Sequence, residues 1–365
     1  LDIPFGDASG AVVDRKRYGE VLLEEADRVG ADVHYDTVVQ DVTQNGRVTG
    51  VSATREGDHV DYEADVVVDA AGSLSILQDK TDFSESTFDT NVDYSQFCSA
   101  YREIIEVPEP VEYDDAIVFK PTAELGYLWY FPRSERIINA GLGFQMNKPS
   151  FPLVDVLRDD LETRSEFRGA EVRDKLGAAL PTRRPYDSAV APGYMAVGDA
   201  AGHVNPTTGG GIPGAAKAGH WAARVAADVS ESALWEYNER VQHDFGKRFA
   251  AMDLFNIYGS ANEIDELTEL IAALPGQMLI DLMGKSGTAS LTLPQKIKTG
   301  LLTAVKTRGH WGSLYEAYRV NQLATKLKDL YDEYPTGPGS FADWKQQRDD
   351  LMDDVYAVTG ADPKY

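Results

Sequence analysis

One stretch gathers residues suited to holding a cofactor. It runs Tyr194-Met195-Ala196-Val197-Gly198-Asp199-Ala200-Ala201-Gly202-His203-Val204-Asn205-Pro206-Thr207-Thr208-Gly209-Gly210-Gly211-Ile212-Pro213-Gly214-Ala215. Its apolar start predicts a buried strand that delivers Gly198 and Asp199 at its C-terminal end, where a carboxylate can take a sugar or polyol hydroxyl. Gly209, Gly210 and Gly211 then open onto a predicted helix from Ile212. The unpaired N–H groups and partial positive charge of such a helix start suit an anion or the electron-rich edge of a cofactor. Three glycines alone are ordinary in a strand-to-helix turn, so the weight rests on the complete string. A second stretch is Tyr127-Leu128-Trp129-Tyr130-Phe131-Pro132, followed after eight residues by Gly141-Leu142-Gly143. Tyr127, Trp129 and Phe131 alternate with period two and project from one face of a strand. Such a row is either a stripe of sheet core or the wall of an apolar tunnel.

Other reactive residue types form no constellation. The six histidines, His34, His59, His203, His220, His243 and His310, have no metal-ligand spacing, and no metal site is assigned. Ser75 and Ser188 have no histidine in a nucleophile-elbow context, which speaks against hydrolase chemistry. Cys98 reads as a small buried residue, and its being the single cysteine fits a reducing compartment.

The elements that must position these residues follow from periodicity. Asp14 to Val29 has helical spacing with Gly30 behind it, and Val33–Val42, Arg47–Thr54 and His59–Glu63 form a meander joined at Asn45-Gly46 and Glu56-Gly57-Asp58. Val66-Val67-Val68 reads as a parallel strand buried on both faces. Phe97–Val107, Ala116–Lys120, Tyr127–Phe131 and Arg136–Phe144 predict a mostly antiparallel sheet, followed by a helix at Leu153–Thr163 and a loop around Pro181 to Pro185. After Gly209 the chain reads as helical, over Trp221–Val229, Leu234–Tyr258, Ile264–Met283 and Leu314–Leu330, with breaks at Pro275-Gly276, Leu293-Pro294 and Pro335 to Pro338.

Composition bounds the partners. The formal charge is −24, from 59 Asp+Glu against 35 Lys+Arg, which speaks against a nucleic-acid backbone. The 36 aspartates and 23 glutamates are dispersed, a texture that points to a cytoplasm of very high salt. At 43% hydrophobic the chain can still bury a core. No stretch has the length and apolarity of a membrane span, and no leader is evident, so the chain is expected to be cytoplasmic. It starts at Leu1 rather than Met, and the N-terminus is expected to be incomplete.

The string Gly-Asp-Ala-Ala-Gly-x-x-x-Pro-x-x-Gly-x-Gly-Ile closely resembles the second FAD motif of the glutathione-reductase-like flavoproteins. The resemblance implies FAD as cofactor, Gly198 and Asp199 at its ribityl chain, and Gly209, Gly210, Gly211 and Ile212 facing its ring. Val12-Val13-Asp14-Arg15, then Tyr18 and Leu22, resembles the segment carrying an arginine to the adenosine and pyrophosphate side, here Arg15. Val39 stands where the family places a backbone contact to adenine. Ala70-Ala71-Gly72-x-x-Ser75 is similar to a further signature but has Ala71 in place of an aspartate. The family's opening strand and GxGxxG loop are missing from the start of the chain, and Gly209-Gly210-Gly211 comes far too late to be it. The expected fold is therefore α/β: a Rossmann-type FAD domain lacking its first βαβ unit (1–90 and 190–230), an antiparallel-sheet substrate domain (91–189) and a C-terminal helical region (231–365). This chain alone is expected to bind FAD poorly.

The aromatic string with Gly141 and Gly143 resembles the Tyr-x-Trp-x-Phe-Pro…Gly-x-Gly signature of the geranylgeranyl reductase family, with Glu124 where the signature has proline. That resemblance implies an enzyme that saturates isoprenoid C=C bonds in archaeal ether-lipid synthesis, with Tyr127, Trp129, Phe131, Pro132, Gly141 and Gly143 at the substrate. A lipid substrate implies a peripheral encounter with the membrane's inner face, and the electron donor stays open between ferredoxin, nicotinamide and deazaflavin. Two other readings share the FAD motif: a monooxygenase or halogenase on a hydrophobic substrate, and an electron-transfer flavoprotein feeding quinone.

Overall fold

Asp14 caps the first helix with its carboxylate, accepting from the N–H groups of Lys16 and Arg17 at 2.9 and 3.0 Å. That helix, α1 (Arg15–Arg28), ends before Gly30, whose φ of +92° favours glycine. The computed structural model describes residues 12–73, 75–122, 125–146, 152–228, 230–273, 282, 287–288 and 311–365. Expectations placed on Leu1 to Phe5, Glu124, Pro275-Gly276, Leu293-Pro294 and most of 274–283 lie outside the described residues.

Three sheets follow. The meander is β1 (Thr37–Gln44), β2 (Val48–Arg55) and β3 (Asp58–Glu63), all antiparallel, and it starts later than the expected Val33. The β2–β3 turn is set by left-handed Glu56 and Gly57, at φ +53° and +97°. The second sheet holds β4 (Val67–Asp69), β10 (Val190–Ala191) and β11 (Tyr194–Ala196), with β4 and β11 parallel. One expectation is corrected here: β4 is not buried on both faces. Among the described residues it is an edge strand, and Val68 is 41% exposed.

The third sheet has the order β6-β7-β8-β5-β9, from β5 (Phe97–Glu106), β6 (Val118–Pro121), β7 (Gly126–Pro132), β8 (Ile137–Gln145) and β9 (Glu171–Pro181). β9 was not anticipated, because its Glu171-Val172-Arg173-Asp174-Lys175 start carries no alternating apolar signal and eight of its eleven residues are exposed. The back of this sheet, with Leu128, Tyr130, Ile138, Ala140 and Leu142, packs on α3 (Leu153–Thr163) in a core of its own. The short helix α2 (Ile76–Lys80) follows β4. After β11 come α4 (Ile212–Ala226), α5 (Glu231–Val241), α6 (Lys247–Ala261), α7 (Ile264–Ala273), α8 (Trp311–Asp332) and α9 (Phe341–Thr359). A π-helical turn at Gln242–Gly246 joins α5 to α6, and α4 begins at Ile212, directly after the glycine loop, where the sequence places a helix start. The helices share one apolar core with the parallel sheet, running from Val48 through Tyr194 and Phe245 to Tyr331 and Val355.

Candidate functional site

β11 delivers Asp199 into a short 3₁₀ turn, Gly198–Ala201, bounded by two left-handed glycines, Gly198 at φ +65° and Gly202 at φ +69°. His203 steadies the turn: it is fully buried, and its Nδ1 accepts from the Gly198 N–H at 3.1 Å. Burial pushes its imidazole down to about 3, so it is neutral with the proton on Nε2. The chain then returns so closely that a side chain on Gly214 would lie 2.2 Å from the His203 carbonyl oxygen. A Cβ on Gly211 would sit 3.1 Å from Asp199 Oδ1, which places the start of α4 against that carboxylate. No side chain caps α4, its first turn carries no acid, and residues 208–210 are exposed. Burial pushes the Asp199 carboxyl above its usual range, opposed by the positive charge of Arg15 at the exposed start of α1.

These residues fit the FAD implied by the sequence. Glycine at 211 leaves open the space beside the Asp199 carboxylate, an uncapped helix end points its N–H groups there, and a cation stands close enough to act on Asp199. Val39 lies apart in β1, partly buried against the main core, where a β-bulge before Asp41 leaves Gln40 without a ladder partner. Ser75 holds the buried Asp69 at the end of β4. The Asp69 carboxylate also accepts from Tyr194 Oη at 2.5 Å and the Ala71 N–H at 3.0 Å.

The aromatic strand has two unlike faces. Leu128, Tyr130 and Pro132 are the buried set, while Tyr127, Trp129 and Phe131 lie half-buried on the opposite, front face. Pro132 is thereby corrected: it belongs to the back face and does not line the wall. Gly141 stands opposite Trp129, and a Cβ there would lie 2.5 Å from the Trp129 ring and 2.6 Å from the Tyr101 carbonyl oxygen. Glycine at 141 is what lets the indole lie across β8, where its Nε1 donates to Asn139 Oδ1 at 3.2 Å. Gly143 stands opposite Tyr127 and Ala100, and Ala100 opposite Ala178, giving a floor of small residues beside the phenol. Cys98 packs over Gly143, with burial pushing its thiol up to about 12. The wall is extended by Phe119 of β6, which sequence reasoning missed. It pairs with Trp129 in the ladder, and its ring meets those of Tyr127 and Phe131 edge-on at 5.2 and 5.4 Å. The β6–β7 register that recruits it is not visible in the sequence.

The two motifs meet. Tyr127 Oη donates to the Thr208 carbonyl at 2.9 Å, and a Cβ on Gly209 would lie 3.1 Å from Leu180 of β9 and 4.0 Å from Tyr127 Oη. Ser73 Oγ, beside left-handed Gly72, donates to the Ala179 carbonyl at 2.6 Å, so a second loop lands at the same end of the sheet. Asp199 and Gly211, and Gly209 and Tyr127, are thus brought together where the glycine loop meets the aromatic strand, with the charge of Arg15 acting on Asp199. Neither Val204 to Gly214 nor Gly126 to Pro132 contains an acidic residue, in a chain of charge −24.

The family model described as tryptophan halogenase matches residues 10–257. A digeranylgeranylglycerophospholipid reductase of Methanothrix thermoacetophila is 31% identical, over 76% of this chain and 72% of its own. That of Sulfolobus acidocaldarius is 25% identical, over 95% of this chain and 78% of its own. Among solved structures, a geranylgeranyl bacteriochlorophyll reductase-like protein of Thermoplasma acidophilum aligns with TM-score 0.62 at 22% identity, covering 86% of this chain and 78% of that one. A myxobacterial FAD-dependent chondrochloren halogenase aligns with TM-score 0.55 at 19% identity, covering 81% and 74%, a likeness of fold alone. The chain belongs to the family described by the tryptophan halogenase model and, by its likeness over most of both chains, to the digeranylgeranylglycerophospholipid reductases.

Proposed function

We propose that this protein is an FAD-dependent reductase that saturates the isolated C=C bonds of geranylgeranyl chains on ether lipids of the archaeal type. The observation that carries the reading is the aromatic row on the open face of the third sheet, joined to the cofactor loop by the Tyr127–Thr208 hydrogen bond. An isoprenoid chain is apolar along its length and offers no group for an ion pair, so apolar shape is the means of holding it. Tyr127, Trp129, Phe131 and Phe119 supply the wall, and Ala100, Ala178, Gly141 and Gly143 supply a floor low enough for a slim chain.

FAD, bound and reduced, supplies a hydride equivalent for one carbon of the alkene. The protein's share is to hold, orient and exclude water. Asp199 would take ribityl hydroxyls, the uncapped start of α4 at Gly209–Ile212 would face the electron-rich edge of the ring, Arg15 would sit towards the pyrophosphate, and Val39 would offer backbone to adenine. The lipid substrate implies contact with a membrane surface, and the electron donor is a ferredoxin, a nicotinamide or a deazaflavin.

Oxygen-dependent halogenation or hydroxylation is the competing reading, favoured by the tryptophan halogenase match. Anaerobic incubation of the FAD-loaded protein with a chemical reductant and a geranylgeranyl ether lipid separates the two. The reductase reading expects a gain of about two mass units per bond without oxygen. A product formed only when oxygen is admitted would sink it.

A further inference from the structure

We propose that Tyr127 donates the proton that completes saturation, its phenol being reloaded from solvent at the Thr208 turn. The inference rests on the reductase reading, which requires a proton source on an apolar wall and does not name one.

Few exchangeable protons are available on the front face beneath the cofactor loop. The Trp129 N–H is committed to Asn139 Oδ1 at 3.2 Å. The Cys98 thiol packs over Gly143 and donates to the Ser99 carbonyl oxygen at 3.5 Å. Of these groups, Tyr127 Oη combines the two required positions. It lies 4.0 Å from where a side chain on Gly209 would begin, directly under the loop, and it is bonded at 2.9 Å to the carbonyl of Thr208, an exposed residue. Aromatic rings flank it: Phe119 packs edge-on at 5.2 Å, and Trp129 lies 6.0 Å away.

The step balances. A hydride, with its electron pair, bonds to one alkene carbon, and the π pair moves onto the other carbon. That carbon takes the proton as the Tyr127 O–H bond breaks, and the resulting phenolate accepts a proton from water at the Thr208 turn. The alkene is reduced by two electrons, the reduced cofactor is oxidised by two, and the net proton comes from solvent. Burial holds the phenol above its ordinary range. This keeps it loaded through neutral and alkaline pH, and a carbon carrying a lone pair is a far stronger base than a phenolate.

The test uses the FAD-loaded full chain as wild type, Tyr127→Phe, Cys98→Ser and a variant with 3,5-difluorotyrosine at 127. Lipid binding is read separately from the tryptophan emission of the cofactor-free protein. Tyr127→Phe is expected to bind geranylgeranyl lipid with unchanged affinity and to lose single-turnover reduction by about 100-fold or more. Cys98→Ser keeps the wild-type rate. The more acidic difluorophenol retains the hydrogen bond while protonated and makes the rate fall at an alkaline pH where the wild type is level, while lipid and FAD affinity, which a tethering role would move together with the rate, stay level across that pH. The proposal is overturned if Tyr127→Phe reduces lipid within about threefold of wild type, if the difluorotyrosine variant keeps the wild-type pH profile, or if Cys98→Ser shows the loss instead. A wild type that binds lipid yet transfers no hydrogen overturns the reductase reading itself, which the other outcomes leave standing.

Discussion

His203 illustrates how one residue can serve a site without touching its chemistry. Its imidazole fixes the Gly198 N–H, and its free edge meets Phe245 at 5.1 Å, ring to ring. Because the folded group takes a proton only near pH 3 and the unfolded one near 6.5, the unfolded state binds more protons between those values, and stability falls with falling pH across that window. Denaturant titration of wild type and His203→Gln at pH 7 and pH 5 measures this: the wild type should lose about 2 kcal/mol more than the variant. Equal losses would remove the buried neutral imidazole from the account. Gly141 makes the complementary prediction. Gly141→Ala must displace the Trp129 indole, at a cost of about 1–3 kcal/mol. Tryptophan emission should shift with a fall in lipid reduction, whereas unchanged spectra and activity would contradict the stacking. At this scale most of the site was legible. Asp199, the loop glycines and the aromatic triad were readable because each residue type has a narrow use at its spacing. Phe119 and the turned-away Pro132 were not, since register and facing are settled between strands rather than along one.

Among the elements, β7 and α3 follow from periodicity because each buries one face against a neighbour, β11 follows from its unbroken apolar run, and α1 keeps helical spacing although none of its residues is buried. β9 escaped, whereas α9 lies within the region 231–365 expected to be helical. β9 is an exposed edge strand whose charges hide its period. α9 buries Phe341, Trp344, Arg348, Met352 and Val355, but its apolar positions are diluted by aspartates. The segment after α9 closes over the helix–sheet junction: buried Lys364 Nζ lies 2.5 Å from Asp253 Oδ1 and 2.5 Å from the Thr182 carbonyl oxygen. The Arg184 guanidinium stacks 3.5 Å above the Tyr365 ring. Lys364→Met would strand the Asp253 charge in the interior, and unfolding should become easier by about 3–5 kcal/mol. A variant with wild-type denaturant midpoint would show that this lock is idle. The lock also fixes Thr182 at the end of β9, one element of the wall's frame.

For the whole molecule, the charge of −24 and the site belong to different surfaces. Acid coats the exterior, and the two motif segments are free of it. Self-repulsion of such a coat is relieved by screening, so dialysis from molar to millimolar salt should lower the melting temperature steeply. A melting temperature independent of salt would contradict a salt-adapted fold. No helix among the described residues is long and apolar enough to cross a membrane. The most direct test of the central claim is anaerobic: FAD-loaded protein is bleached with reductant, and its flavin absorbance is followed as geranylgeranyl ether lipid is added. The account predicts that absorbance returns on lipid addition, in proportion to the double bonds lost. Absorbance that stays bleached with lipid and returns only with oxygen would contradict it.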